Sequence, residues 1–96
     1  MSYPVHFKFR LYVAGDAQNS HLAVANLKTF CRAHLPGRHE FEIIDVLRHP
    51  KRAWAEGIVL TPTLVKFAPG PASQIVGTLS QPQVLWQALG LEALFV

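Results

Sequence analysis

The sequence predicts an α/β fold: a parallel β–α–β unit, then a short helix, a β-hairpin and a closing helix. Three observations predict it. Residues from Phe7 to Val13 alternate apolar and polar, as a half-buried strand does. From Ala23 to Leu35 apolar residues recur at three-to-four spacing, as on one face of a helix. The second half carries two β-rich runs separated by a Pro-Gly-Pro-Ala connection, which reads as a hairpin.

Each element can be justified in order. In "HFKFRLYVAG" the residues Phe7, Phe9, Leu11 and Val13 share one face, with Lys8, Arg10 and Tyr12 on the other. Gly15-Asp16 signals a turn, and Asn19 or Ser20 supplies an N-cap for the first helix. That helix carries Val24, Leu27, Cys31 and Leu35 as a stripe flanked by Ala23 and Phe30, and Pro36-Gly37 stops it. "EFEIIDVL" becomes continuously apolar at Ile43 and Ile44, which predicts a central parallel strand buried on both faces. "PKRAWAEG" opens with Pro50 at the first helical position and closes on Gly57, a short helix. "TLVKFA" and "QIVGTL" form the hairpin arms. The last helix starts with Ser80 as N-cap, turns Val84, Leu85, Trp86 and Leu89 to its apolar side and ends at Gly90. The apolar tail "LEALFV" is expected to dock in a core or on another subunit.

Composition bounds the function. Ninety-six residues make one domain, 1–96, and with 50% hydrophobic and 16% charged residues it is globular. No apolar run approaches the ~20 residues of a membrane span, and "MSYPVHFKFR" has no apolar signal core, so a cytoplasmic protein is expected. The net charge is +3, but the nine Lys and Arg are scattered, and aromatic residues do not interleave with them. Nucleic acid is therefore not the expected partner. "RHPKR", Arg48 to Arg52, reads as a solvated loop and helix start that could also meet an acidic protein surface.

The element order is that of the thioredoxin-like fold, whose enzymes carry two cysteines between the first strand and its helix. Here that position reads "AGDAQNS", and the single cysteine, Cys31, falls on the apolar stripe of the helix. A small buried hydrophobe is expected there, not a reactive thiol. Asp45 is read as a carboxylate at a strand end capping a neighbouring loop. The histidines lack the spacing of a metal site, and no Gly-rich phosphate loop or nucleophile–base pair is present, so neither catalysis nor a cofactor is expected.

Three blocks carry a resemblance: "LYVAGDAQNS"; "IIDVLRHPKRAWAEGIVLTPTLVK"; and "IVGTLSQPQVLWQALGL". In this order they resemble the circadian clock protein family KaiB, from about Phe9 to Leu91. The resemblance implies a non-enzymatic regulator that binds a RecA-like clock ATPase, KaiC, modulates its phosphorylation state and sequesters KaiA where KaiA exists. It also implies two folds for the second half: the thioredoxin-like monomer, and a βαββααβ ground state that assembles as a homo-oligomer, a dimer or tetramer. Docking is expected on the short helix and its approach, at Lys51, Arg52, Trp54 and Ala55. Trp54 is the sharpest candidate, as an indole beside basic residues makes an interface anchor; its rival role is packing onto the sheet. Thr61 and Pro62 would form the cis X-Pro bond of the thioredoxin-like state, read as a slow conformational gate or as a turn proline kept for geometry. Ser73-Gln74, Gly57 and Thr78 depart from residues common in clock-type members and suit a divergent paralogue. The alternative function is a thioredoxin-fold sensor or adaptor for a histidine kinase or stress-response partner.

Overall fold

The computed structural model describes residues 5–91. The tail from 92 to 96 lies outside the described residues, so the docking expected of it is carried here only by Leu91, which is fully buried. The elements are β1 (Phe7–Val13), α1 (Gln18–His34), β2 (His39–Asp45), α2 (Pro50–Ala55), β3 (Thr63–Ala68), β4 (Ser73–Val76) and α3 (Pro82–Ala88). The four strands form one sheet in the order β2-β1-β3-β4, with β1 and β2 parallel and the other pairs antiparallel. This is the thioredoxin-like arrangement, with the second half as helix, hairpin and helix.

The alternation read in β1 is the basis of the core. Phe7, Phe9, Leu11 and Val13 face α1 and α3, where they meet Leu27, Phe30, Cys31, Leu35, Leu85 and Leu89. On the opposite face Tyr12, Ile44 and Val65 form a smaller cluster covered by Ala53 of α2. The helices thus cover both faces of β1, which explains why Leu11, Tyr12 and Val13 are buried in succession.

Several expectations are corrected. The interior strands are β1 and β3, and β2 is an edge strand on which Ile43 is 42% exposed. A hydrophobic pair marks two faces of a strand, but strand order depends on which side β3 joins, and β3 joins β1. Neither Asn19 nor Ser20 caps α1; the N-cap is Ala17, and the buried Ser20 hydroxyl accepts the N–H of Ala14 at 3.1 Å instead. Ser80 does not cap α3, whose N-cap is Gln81 with Pro82 in the first turn. β4 ends at Val76 and does not run to Leu79, because Gly77 and Leu79 take φ of 120° and 61°. Leu79 holds that left-handed backbone while its side chain is buried in the core, so packing outweighs a local cost of about 1–2 kcal/mol. Val84, placed on the apolar side of α3, is 44% exposed.

Candidate functional site

The short helix α2 is a six-residue platform laid on the sheet. Pro50 starts it with a preset φ, and Gly57, at φ 71°, ends it in a conformation that favours glycine. Among its residues only Ala53 is buried, against the Tyr12 cluster. A small residue there lets the helix lie close to the sheet and turns its longer side chains outward. Trp54 is 87% exposed, so the indole is not packed on the sheet. Lys51 and Ala55 are also exposed, three residues before and one after it, so the three share the outer side of one helical turn. Arg52 is turned aside. Its guanidinium donates two hydrogen bonds of 2.8 Å to the carboxylate of Glu42 on β2, which holds that carboxyl below its ordinary pKa. Lys51, unlike Arg52, makes no ion pair among the described residues.

The end of α2 is fixed by a polar network that the sequence reading missed. Arg10 donates to the carboxylate of Glu56 through Nε at 2.8 Å and Nη2 at 2.7 Å. The hydroxyl of Tyr12 donates to the same carboxylate at 2.5 Å. The Arg10 guanidinium also lies 4.0 Å from the centre of the Phe67 ring. Gln74 of β4 donates to the Glu56 carbonyl at 3.2 Å. The Arg10 fork, with the Tyr12 hydroxyl, lowers the Glu56 pKa, while burial, with Glu56 adding to it, pushes the Tyr12 phenol up to about 12. The signal available in the sequence was the two-residue spacing of Arg10 and Tyr12, which puts both on the α2 face of β1. Nothing local identified Glu56 as their partner, 46 and 44 residues away.

Thr61 and Pro62 lie at the entrance to β3. Their bond is cis, as the thioredoxin-like reading expected, and so are Ala68-Pro69 and Gly70-Pro71. Pro62 is buried, and its carbonyl accepts the N–H of Gly77 at 2.9 Å. Thr63 pairs with Tyr12 and Val76, and Val13 pairs with Asp45, so the β3 entrance, the β1–α1 loop and the β2–α2 loop meet at one end of the sheet. Asp45 caps this end as read from the sequence. Its Oδ1 accepts the N–H of Leu47 at 2.9 Å and of Gly15 at 3.1 Å, which together lower its pKa. Leu47, Val59 and Leu60 are exposed at this end, at 72%, 90% and 60%.

Cys31 is fully buried, and burial pushes its thiol up to about 12, far from a thiolate at neutral pH. No group of three or more His, Cys, Asp or Glu among the described residues could hold a metal ion. No helix among the described residues is long and apolar enough to cross a membrane.

Comparison with known proteins bears on this geometry. The family model of the KaiB domain matches residues 10–91. Circadian clock protein KaiB3 of Synechocystis sp. is 41% identical over 83 residues, covering 86% of this chain and 79% of the relative. Circadian clock oscillator protein KaiB of Gloeothece citriformis is 37% identical over 89 residues, 93% of this chain and 82% of the relative. Among solved structures, the N-terminal domain of Synechococcus elongatus SasA superposes with a TM-score of 0.74 at 23% identity, covering 95% of this chain and 90% of that one. Chloroplastic thioredoxin z also gives 0.74 at 23% identity, over 92% of this chain and 80% of that one. At such identities the structural likenesses establish the fold alone.

Proposed function

Because the chain belongs to the KaiB family, we propose that it is a non-enzymatic, cytoplasmic clock-type regulator that docks on a KaiC-like RecA ATPase through α2 and modulates its phosphorylation state. The observation that carries this reading is Trp54. An indole exposed at 87% on a short helix, beside a Lys51 that forms no ion pair among the described residues, adds nothing to the core and has the chemistry of an interface anchor. The partner face it suits combines an apolar recess for the indole with acidic groups for the lysine. Arg52 is already committed to Glu42, so its part is to steady the helix. In the same reading residues 57–89 include the part that changes fold, and the alternative arrangement assembles as a homo-oligomer. Two slowly exchanging sets of amide signals confined to that half would support this; a single set at every concentration would remove it.

The docking test is a pull-down from native lysate with tagged protein, with and without ATP, read by mass spectrometry. The expected result is a double-domain RecA-like ATPase retained by the wild type and lost by Trp54→Ala. A second reading, a sensor or adaptor for a histidine kinase or stress-response partner, draws on the likeness to the SasA N-terminal domain. Recovery of such a kinase with no ATPase would favour it.

A further inference from the structure

A six-residue helix cannot hold its own shape in water, because its few backbone hydrogen bonds do not offset the cost of nucleation. α2 must therefore be held from outside. Its apolar attachment is one methyl group, that of Ala53. Two polar anchors complete it: the exposed Arg52–Glu42 pair to β2 and, better shielded from water, Glu56, the residue that closes the helix. Its carboxylate takes three hydrogen bonds from β1 and its carbonyl takes one from β4. Arg10 is itself immobilised between this carboxylate and the Phe67 ring of β3. The side chains of Arg10 and Glu56 are only 26% and 23% exposed, so water competes weakly for the pair. Two strands thus hold a residue two positions from Trp54, and a third steadies the arginine that grips it.

We propose that Glu56 is the positioning residue of the docking helix: gripped by Arg10 and Tyr12, it fixes the last turn of α2 and sets the angle at which Trp54 meets a partner. This rests on the reading that α2 is the docking element. Glu56 itself faces the sheet and touches no partner. Its effect on binding passes through the order of the helix, by removing conformations that would have to be lost on association.

The test separates the grip from the docking. Glu56→Gln keeps the size of the side chain but removes the charge and sets an amide donor against the donors of Arg10 and Tyr12. Hydrogen exchange is followed at Glu56 or its replacement, Gly57 and Ile58, whose N–H groups close the helix end onto Arg52, Trp54 and Ala53. These amides should exchange about tenfold faster in the variant, the lower end expected for hydrogen bonds to a charged group, with the β1 amides unchanged. The reversed pair Arg10→Glu with Glu56→Arg should recover most of the protection. Unchanged protection at the helix end in Glu56→Gln overturns the proposal. Should that variant loosen the whole fold, Tyr12→Phe decides, since it keeps the ring in the Ile44 cluster; the proposal requires faster exchange at the same three amides, and none would overturn it.

Binding to a purified KaiC-type ATPase with ATP completes the test. Affinity should fall about tenfold in Glu56→Gln and return in the reversed pair. Loosened amides with unaltered affinity, while Trp54→Ala still abolishes binding, would overturn the positioning role alone. Undiminished binding by Trp54→Ala would instead overturn the docking reading, whatever the exchange data show.

Discussion

Cys31 and Asp45 are held in opposite environments, one in the apolar core and the other among backbone N–H groups at the end of β2. Cys31 sits at a stripe position of α1 with Leu27 and Leu35, so its burial follows from helical spacing. With its thiol pushed up to about 12, it should resist a thiol-labelling reagent in the native protein and react fully in denaturant. Rapid native labelling would contradict the burial. Cys31→Ser should lower stability by about 1–3 kcal/mol, because it puts a polar hydroxyl into an apolar site; a urea titration measures this. Asp45 was legible for a different reason: a carboxylate where a strand ends is well placed to accept from nearby backbone N–H groups. Asp45→Asn should loosen the Gly15 and Leu47 amides, since an amide oxygen accepts more weakly than a carboxylate. Exchange rates at these two positions check it. Ser20 was misread because capping is a local pattern, whereas its hydroxyl is used by a loop residue six positions earlier.

At the scale of elements, type and order were readable and neighbours were not. Periodicity identifies β1 and α1, and Pro50 and Gly57 bracket α2. The Ile43-Ile44 pair could not reveal that β2 lies on the edge, because the pairing of β1 with β3 is a contact between segments more than fifty residues apart. The candidate site divides in the same way. Lys51, Trp54 and Ala55 fall within five residues of one helix, so their shared exposure is a local feature, whereas the Arg10–Tyr12–Glu56–Phe67 network joins three elements and leaves no local pattern. The inner and outer sides of α2 yield opposite predictions. Trp54→Ala should change stability by less than about 0.5 kcal/mol, since the indole is exposed, yet abolish capture of the ATPase. Ala53→Leu keeps the helix propensity but forces a larger side chain against Tyr12, Ile44 and Val65. It should cost about 1–3 kcal/mol and shift α2 outward, seen as a lower urea midpoint. Equal effects of the two changes would mean that α2 does not lie as described.

For the whole molecule, three carboxylates tie together parts that are distant in the chain. Glu42 joins β2 to α2, Asp45 joins β2 to the β1–α1 loop, and Glu56 joins α2 to β1. The pKa of each is lowered in the folded state, by Arg52, by the Leu47 and Gly15 amides, and by Arg10 respectively. A lowered folded pKa means that the unfolded chain binds protons first as pH falls. The stability these groups contribute is complete above the unfolded carboxylate values, near ~4, and is lost as pH drops through the lower folded ones. Glu42 and its arginine are well exposed, so solvent screening discounts that pair, and Glu56 should dominate. The urea midpoint should therefore hold steady from about pH 7 to 5 as far as these carboxylates govern it, then fall steeply below about pH 4. Glu56→Gln removes one of the titrating groups, so it should lower the midpoint at neutral pH and flatten the acid limb. A variant whose acid limb stays as steep as that of the wild type would show that the Arg10–Glu56 pair does not link acid sensitivity to the seating of α2.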